Sequence, residues 1–235
     1  MKNKLEAASE MGYHNQNFDA TRERLLKGGT YKDLSTIWVT PVRDGVMSCK
    51  VISAFVALQR PMNQPCVGPI FVSNMEVGDA YNQAIEMILA DPNLSKFKYL
   101  LTIESDNLPP SDGLIKLYEG IQKYDGVGGL YYTKGENGAP MIYGDPKVFP
   151  RNFVPQVPQV NAIQHCNGLG MGFNLFRMEM FKKMPKPWFK TVQENGACFS
   201  QDLWFYNNAA AFGYKFACDT RIKVGHYDVA NNMVW

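Results

Sequence analysis

Close-set cysteines are missing from this sequence. Its five, Cys49, Cys66, Cys166, Cys198 and Cys218, are odd in number and widely spaced, which excludes a CxxC zinc or dithiol site and makes reduced thiols in a cytoplasm the expectation. An excess of either charge is missing as well: 24 basic residues against 22 acidic ones leave a net charge of +2, with no dominant Lys/Arg run. Charge therefore neither demands nor excludes a nucleic-acid partner. No apolar run approaches the roughly 20 residues of a membrane helix, and the opening MKNKLEAASEMGYHNQ lacks the apolar core of a signal peptide. A soluble, cytoplasmic protein with no membrane span and no obligate protein partner is expected. Repeats and low-complexity segments are absent, as are a Walker A loop and a GxSxG elbow. Gly168, Gly170 and Gly172 make no dinucleotide fingerprint, because they neither follow a first strand nor open a helix.

What is present is enough for one globular domain: 235 residues, 46% hydrophobic and 13% aromatic. Residues 1–33 are polar and read as a lead-in, with a short helix expected in TRERLLKGG that Gly28-Gly29 would end. Residues 34–235 read as a single domain with a first half, 34–133, and a second, 134–235. STIWVTPV (35–42) is β-branched and aromatic and predicts a strand, followed by a helix in VMSCKVISAFVALQ. GPIFVSN (68–74) predicts a second strand, VGDAYNQAIEMILAD a second helix and FKYLLTIE a third strand buried on both faces. Strands and helices alternating in this way imply an α/β fold, a mainly parallel sheet with right-handed crossovers and helices on both faces. A helix capped by Ser111 and a fourth strand in DGVGGLYYTK follow. Beyond residue 134 the pattern turns to proline-rich loops and short strands (APMIYG, GLGMGFNLF), a smaller mixed lobe. One helix is expected from Ser200 to Phe212, then strands in YKFACD and RIKVGH.

The third strand runs into Glu104, Ser105 and Asp106. Open α/β sheets bind ligands at the carboxyl ends of their strands, and side chains two apart on an extended chain point the same way. Glu104 and Asp106 can therefore both face one crevice and offer hard oxygen donors to Mg²⁺ or Mn²⁺; alternatively they only shape the turn before Pro109-Pro110. Asp202 falls in the first turn of the helix that Ser200 would cap, where it acts as a general base or merely stabilises the helix start. His226, one of three histidines with His14 and His165, ends an apolar strand and can add an imidazole nitrogen to Asp106 around a cation. Trp188, Phe189, Trp204, Phe205 and Tyr206 are mostly core by this reading, with some able to stack on a sugar ring.

Taken in order, TPVRDG after the first strand, ESD after the third, the stretch GLGMGFNLFRMEMFKKMPKPWF, QD opening a helix and the late GHYD resemble a glycosyltransferase of the GT-A fold, over roughly residues 35–228. The likeness is closest in style to short phage-encoded enzymes, some of which glycosylate hydroxymethylated bases in DNA. It implies a GT-A-like, Rossmann-like domain whose first half binds a nucleotide-sugar, a UDP-sugar being expected, and whose second half holds acceptor and catalytic groups. It further implies that Asp106 and His226 bind Mn²⁺ or Mg²⁺, with Glu104 near the metal or the donor ribose, and that Asp202 is the catalytic acidic position. By the same resemblance Thr40, Pro41, Arg43 and Asp44 match the nucleotide-binding entry, with Arg43 either reaching a phosphate or only a solvated turn residue; Asn82 stands where related enzymes carry a donor-facing Arg-Asn pair or is simply an exposed helix position, and Ser105 completes the acidic triplet. The acceptor would be a hydroxyl, on modified DNA or on surface polysaccharide, and a phage origin would put the protein in the host cytoplasm. Two departures stand out: Glu104 replaces the usual first Asp, and Gln201 precedes Asp202 where many members carry an acid. A nucleotidyltransferase of similar architecture is a second reading, though its glycine-rich start is missing from WVTPVRDGVMS. A non-catalytic nucleotide-sugar-binding module is the third.

Overall fold

The computed structural model describes residues 32–194 and 197–235; the helix expected in TRERLLKGG lies outside them. β1 (Thr36–Val42), α1 (Cys49–Ala57), β2 (Cys66–Ser73), α2 (Val77–Ala90) and β3 (Tyr99–Ile103) follow in that order. β1 pairs in parallel with both β2 and β3, so the two helices are the crossovers of a βαβαβ unit. Both helix starts are capped. The Ser48 hydroxyl accepts from the Lys50 N–H, and the Glu76 carboxylate accepts from the Gly78 and Asp79 N–H groups at 2.7 and 3.3 Å, satisfying donors that have no partner within the helix.

After β4 (Asn107–Leu108) comes α3 (Gly113–Gly120), and here the structure corrects the reading of Ser111 as its cap. Asp112 takes the cap position without a side-chain cap bond, its carboxylate pairing with Lys116 at 2.6 Å. The Ser111 carbonyl is used to anchor the end of α1, accepting from the Gln59 N–H at 2.7 Å. β5 (Gly126–Leu130), β6 (Ile142–Tyr143), β7 (Ile163–Cys166), β8 (Gly168–Leu169) and β9 (Phe173–Arg177) lead to α4 (Met178–Lys183). β10 (Val192–Glu194), β11 (Ala197–Phe199), α5 (Gln201–Ala211), β12 (Phe216–Lys223), β13 (Gly225–Asp228) and β14 (Met233–Val234) complete the chain.

Seven strands form the central sheet in the order β2-β1-β3-β9-β5-β12-β7. β2, β1, β3, β5 and β12 share one direction; β9, wedged between β3 and β5, and β7 at the edge run the other way. This is the α/β, mainly parallel architecture expected, with one addition: β5 does not join β3 directly. The glycines of β5 make room for the intruder, since a Cβ on Gly126 would come within 2.6 Å of the Phe176 ring and one on Gly128 would collide with the Asn174 amide. YKFACD and RIKVGH also differ from expectation. A single strand runs through most of both, with its register shifting between Asp219 and Lys223, where buried Asp219 bonds the Arg221 backbone and guanidinium.

Alternation along the strands builds a core on each side of the sheet. Ile37, Val39, Leu100 and Phe176 pack against Tyr81 and Ile85 of α2, Phe181 of α4 and Phe205 of α5. Trp38, Leu101, Ile103 and Leu175 face Val51 and Phe55 of α1 and Leu114 and Leu117 of α3. Each such side chain, fully buried, stabilises the fold by about 1.5–3 kcal/mol, and together they fix the carboxyl edge on which the polar groups stand. Among the described residues no helix is long and apolar enough to cross a membrane.

Candidate active site

β3 stops at Ile103 and the chain turns through Glu104, Ser105 and Asp106 before β4. The turn is pinned on both sides: the Glu104 N–H donates to the Gly172 carbonyl and the Asn107 N–H to the Glu104 carbonyl, each at 3.2 Å. β13 then pairs antiparallel with β4, setting His226 opposite Asn107, and the Tyr227 N–H donates to the Asp106 carbonyl at 2.7 Å. Segments far apart in sequence are thereby locked together by backbone bonds. β14 and the last residue hold the other side of β13, with reciprocal bonds of 3.0 Å between His226 and Trp235.

His226 Nδ1 lies 2.7 Å from the Tyr132 carbonyl, which can only accept, so Nδ1 carries the hydrogen and Nε2 is turned toward Asp106 Oδ2 at 3.3 Å. The ring packs edge-on against Tyr131, 5.4 Å between centroids. In the neutral imidazole, Nε2 and Oδ2 would be two lone pairs facing each other, an arrangement that calls for a proton or a metal cation between them. Lys134 meets the same carboxylate oxygen from another side, Nζ to Oδ2 2.6 Å. Burial alone would raise the Asp106 carboxyl, but the His226 hydrogen bond and the Lys134 ammonium hold it below its ordinary value.

Glu104 behaves oppositely. Burial, with the Asp106 and Asp202 charges adding to it, pushes its carboxyl up to about 8. Tyr131 accepts the Gly172 N–H at 2.9 Å, and its phenol, like that of Tyr206, is pushed up by burial and by the nearby carboxylates. Asp202, at the start of α5 and 7% exposed, receives the Ser200 hydroxyl and the Leu203 N–H on Oδ1. Ser200 does occupy the cap position, but its hydroxyl bonds Asp202 and makes no cap bond to the helix. Burial raises the Asp202 carboxyl as well.

The other residues singled out in the sequence lie as follows. Thr40 is fully buried in β1 and its hydroxyl accepts from the Trp38 indole at 2.8 Å. Pro41 is buried beside it, while Arg43 and Asp44 are exposed in the following turn. Asn82 is occupied as a staple: its amide donates to the Phe189 carbonyl at 2.8 Å and accepts from the Trp188 and Phe189 N–H groups at 3.1 Å. Trp188, Phe189, Phe205 and Tyr206 are buried in the core. Lys134 and the Tyr132 carbonyl were not foreseen, because nothing in YYTKGENG marks them until the loop folds back onto Asp106. Asn107, adjacent to the acidic turn and completely buried, has no hydrogen-bond partner for either amide atom among the described residues. A surface cleft of about 280 Å³ between His165, Lys215 and Phe216 opens at the amino end of β12, away from this site.

No protein-family model matches the sequence, and no curated protein matches it either. Solved structures do resemble the fold. A197 from STIV superposes with a TM-score of 0.61 at 18% identity, over 85% of this chain and 92% of that one. That likeness shows a shared fold. GalNAc-T7, solved with UDP, GalNAc and Mn²⁺, gives 0.49 at 11% identity, over 83% of this chain and 44% of that one. TarS residues 1–349 of S. aureus, in complex with UDP-GlcNAc, gives 0.45 at 11%, over 80% and 58%. Both scores fall below 0.5 and add nothing to what A197 shows, and this chain spans about half the length of either.

Among the described residues no group of three His, Cys, Asp or Glu side chains is arranged to hold a metal ion. The Asp106 and His226 pair nonetheless fits a divalent cation: one hard oxygen and one imidazole nitrogen converge, with their acceptor atoms 3.3 Å apart. Such a site would leave most of the coordination sphere to water and to an anionic ligand.

Proposed function

We propose that this chain is a glycosyltransferase moving a sugar from a nucleotide-sugar, a UDP-sugar, to an acceptor hydroxyl with the help of Mn²⁺ or Mg²⁺. The observation that carries the proposal is the facing of Asp106 Oδ2 and His226 Nε2 at the carboxyl edge of the parallel strands, with buried Asp202 at a helix start electrostatically coupled to the same acidic turn. Asp106 and His226 would hold the cation, which when bound would neutralise charge on the departing diphosphate.

In the transfer the acceptor oxygen attacks the anomeric carbon and the bond from that carbon to the diphosphate oxygen breaks, the diphosphate leaving with the electron pair. The acceptor proton passes to a carboxylate, and Asp202 suits this role if the anomeric centre is inverted. Burial makes it a stronger base than an exposed aspartate.

Calorimetry with UDP tests the reading. Wild-type protein is expected to bind UDP more tightly with Mn²⁺ than in EDTA, and Asp106→Ala and His226→Ala to lose the cation-dependent part. Equal binding by all three proteins, with and without the metal, contradicts it.

A further inference from the structure

Lys134 belongs to no expected motif, yet it makes the shortest polar contact of the acidic turn, 2.6 Å to Asp106 Oδ2. It follows the base of the loop that also supplies the His226 partner. Tyr132 bridges Pro140, the Thr133 N–H donates to the Ala139 carbonyl at 2.9 Å, and the Thr133 hydroxyl accepts from the Ala139 N–H at 2.8 Å. The loop base is thus fixed, while the lysine stem is free to swing. Asp106 Oδ2 is also the oxygen nearest His226 Nε2, so a cation held by that pair would share an oxygen with the ammonium. A metal at about 2.2 Å from an oxygen and an ammonium at 2.6 Å from the same one are no more than about 5 Å apart, and like charges at that distance repel. The ion pair is about a third exposed at both ends, 34% and 32%, and pairs of that exposure break at little cost.

We infer that Lys134 is a resident counter-charge that exchanges with a divalent cation on Asp106 and, once released, binds the diphosphate of the donor. The first half stands on the Asp106 geometry alone; the second rests on the nucleotide-sugar reading. Before a cation arrives, the ammonium keeps the Asp106 carboxylate neutralised. Afterwards its three donors lie beside the anion that the cation attracts.

Mn²⁺ binding to the full chain, read from the loss of free Mn²⁺ signal in electron paramagnetic resonance, tests the exchange without turnover. Lys134→Met is expected to bind Mn²⁺ alone about fivefold more tightly than wild type, the competition being removed. Lys134→Arg, which keeps the charge, should bind as wild type does. With Mn²⁺ present, UDP should bind about tenfold more weakly to Lys134→Met. A folded Lys134→Met protein whose Mn²⁺ affinity equals or falls below that of wild type overturns the exchange. Lys134→Gln replaces it if the methionine variant does not fold. Tighter Mn²⁺ with unchanged UDP affinity overturns the diphosphate half alone. Tighter Mn²⁺ in a protein whose wild type binds no UDP supports the exchange and rejects the nucleotide-sugar reading.

Discussion

Glu104→Gln should make the protein more stable, and increasingly so as pH rises. The Glu104 carboxyl is pushed from 4.5 to about 8, by burial first and then by Asp106 and Asp202. In the unfolded chain the group loses its proton near its ordinary value, while the folded chain keeps it. Folding therefore takes up a proton between those values, and stability falls through that window as pH rises, levelling off above the folded value. Each unit of separation is worth about 1.4 kcal/mol. The cost is then under about 1 kcal/mol at pH 5, about 3 at pH 7 and about 4–5 at pH 9. Glutamine keeps the shape and cannot ionise, so it removes this cost at every pH. Relaxation and entering water trim the figures, which leaves about 2 kcal/mol as the gain expected at pH 7. Urea unfolding of both proteins at pH 5, 7 and 9, in EDTA to keep cations away, gives the comparison. A difference that does not grow from pH 5 to pH 9, or a variant less stable than wild type at pH 9, refutes the reasoning.

Asp202→Asn keeps the volume and the Oδ1 contacts but not the basicity, so UDP affinity should survive while turnover falls by roughly two to four orders of magnitude; a near-wild-type rate would reduce Asp202 to the helix-start role. Asn82→Ala strips three hydrogen bonds from the Trp188-Phe189 segment. It should cost about 2 kcal/mol in urea unfolding with little change in UDP affinity, whereas weaker UDP binding at unchanged stability would return Asn82 to the donor side.

Much of this molecule can be read along the chain, and what cannot has a common cause. β1, α2 and β3 announce themselves because the side-chain period of a strand or helix is local, and their caps and turns lie within a few residues. Asp106 and His226 were legible for the same reason, as polar residues at the ends of apolar strands. The entry of β9 between β3 and β5 was not, since it depends on β5 glycines accommodating side chains nearly 50 residues away. Lys134 was invisible because its meaning comes from a partner 28 residues back. Asn82 was visible as a polar helix residue, but its bonds reach across 106 and 107 residues. Ser111 was misread because Ser111 and Asp112 are both good cap residues in sequence, and only the folded path, with the Ser111 carbonyl spent on Gln59, chooses between them.

Glycosyl transfer itself is the central claim, and release of nucleoside diphosphate tests it most directly. The full chain would be incubated with Mn²⁺ and a panel of nucleotide-sugars, alone and with hydroxylated acceptors that include hydroxymethylated DNA and polysaccharide. Release of UDP from one UDP-sugar, stimulated by one acceptor and lost in Asp106→Ala, is the result predicted. No release from any donor by a protein that binds Mn²⁺ would contradict it.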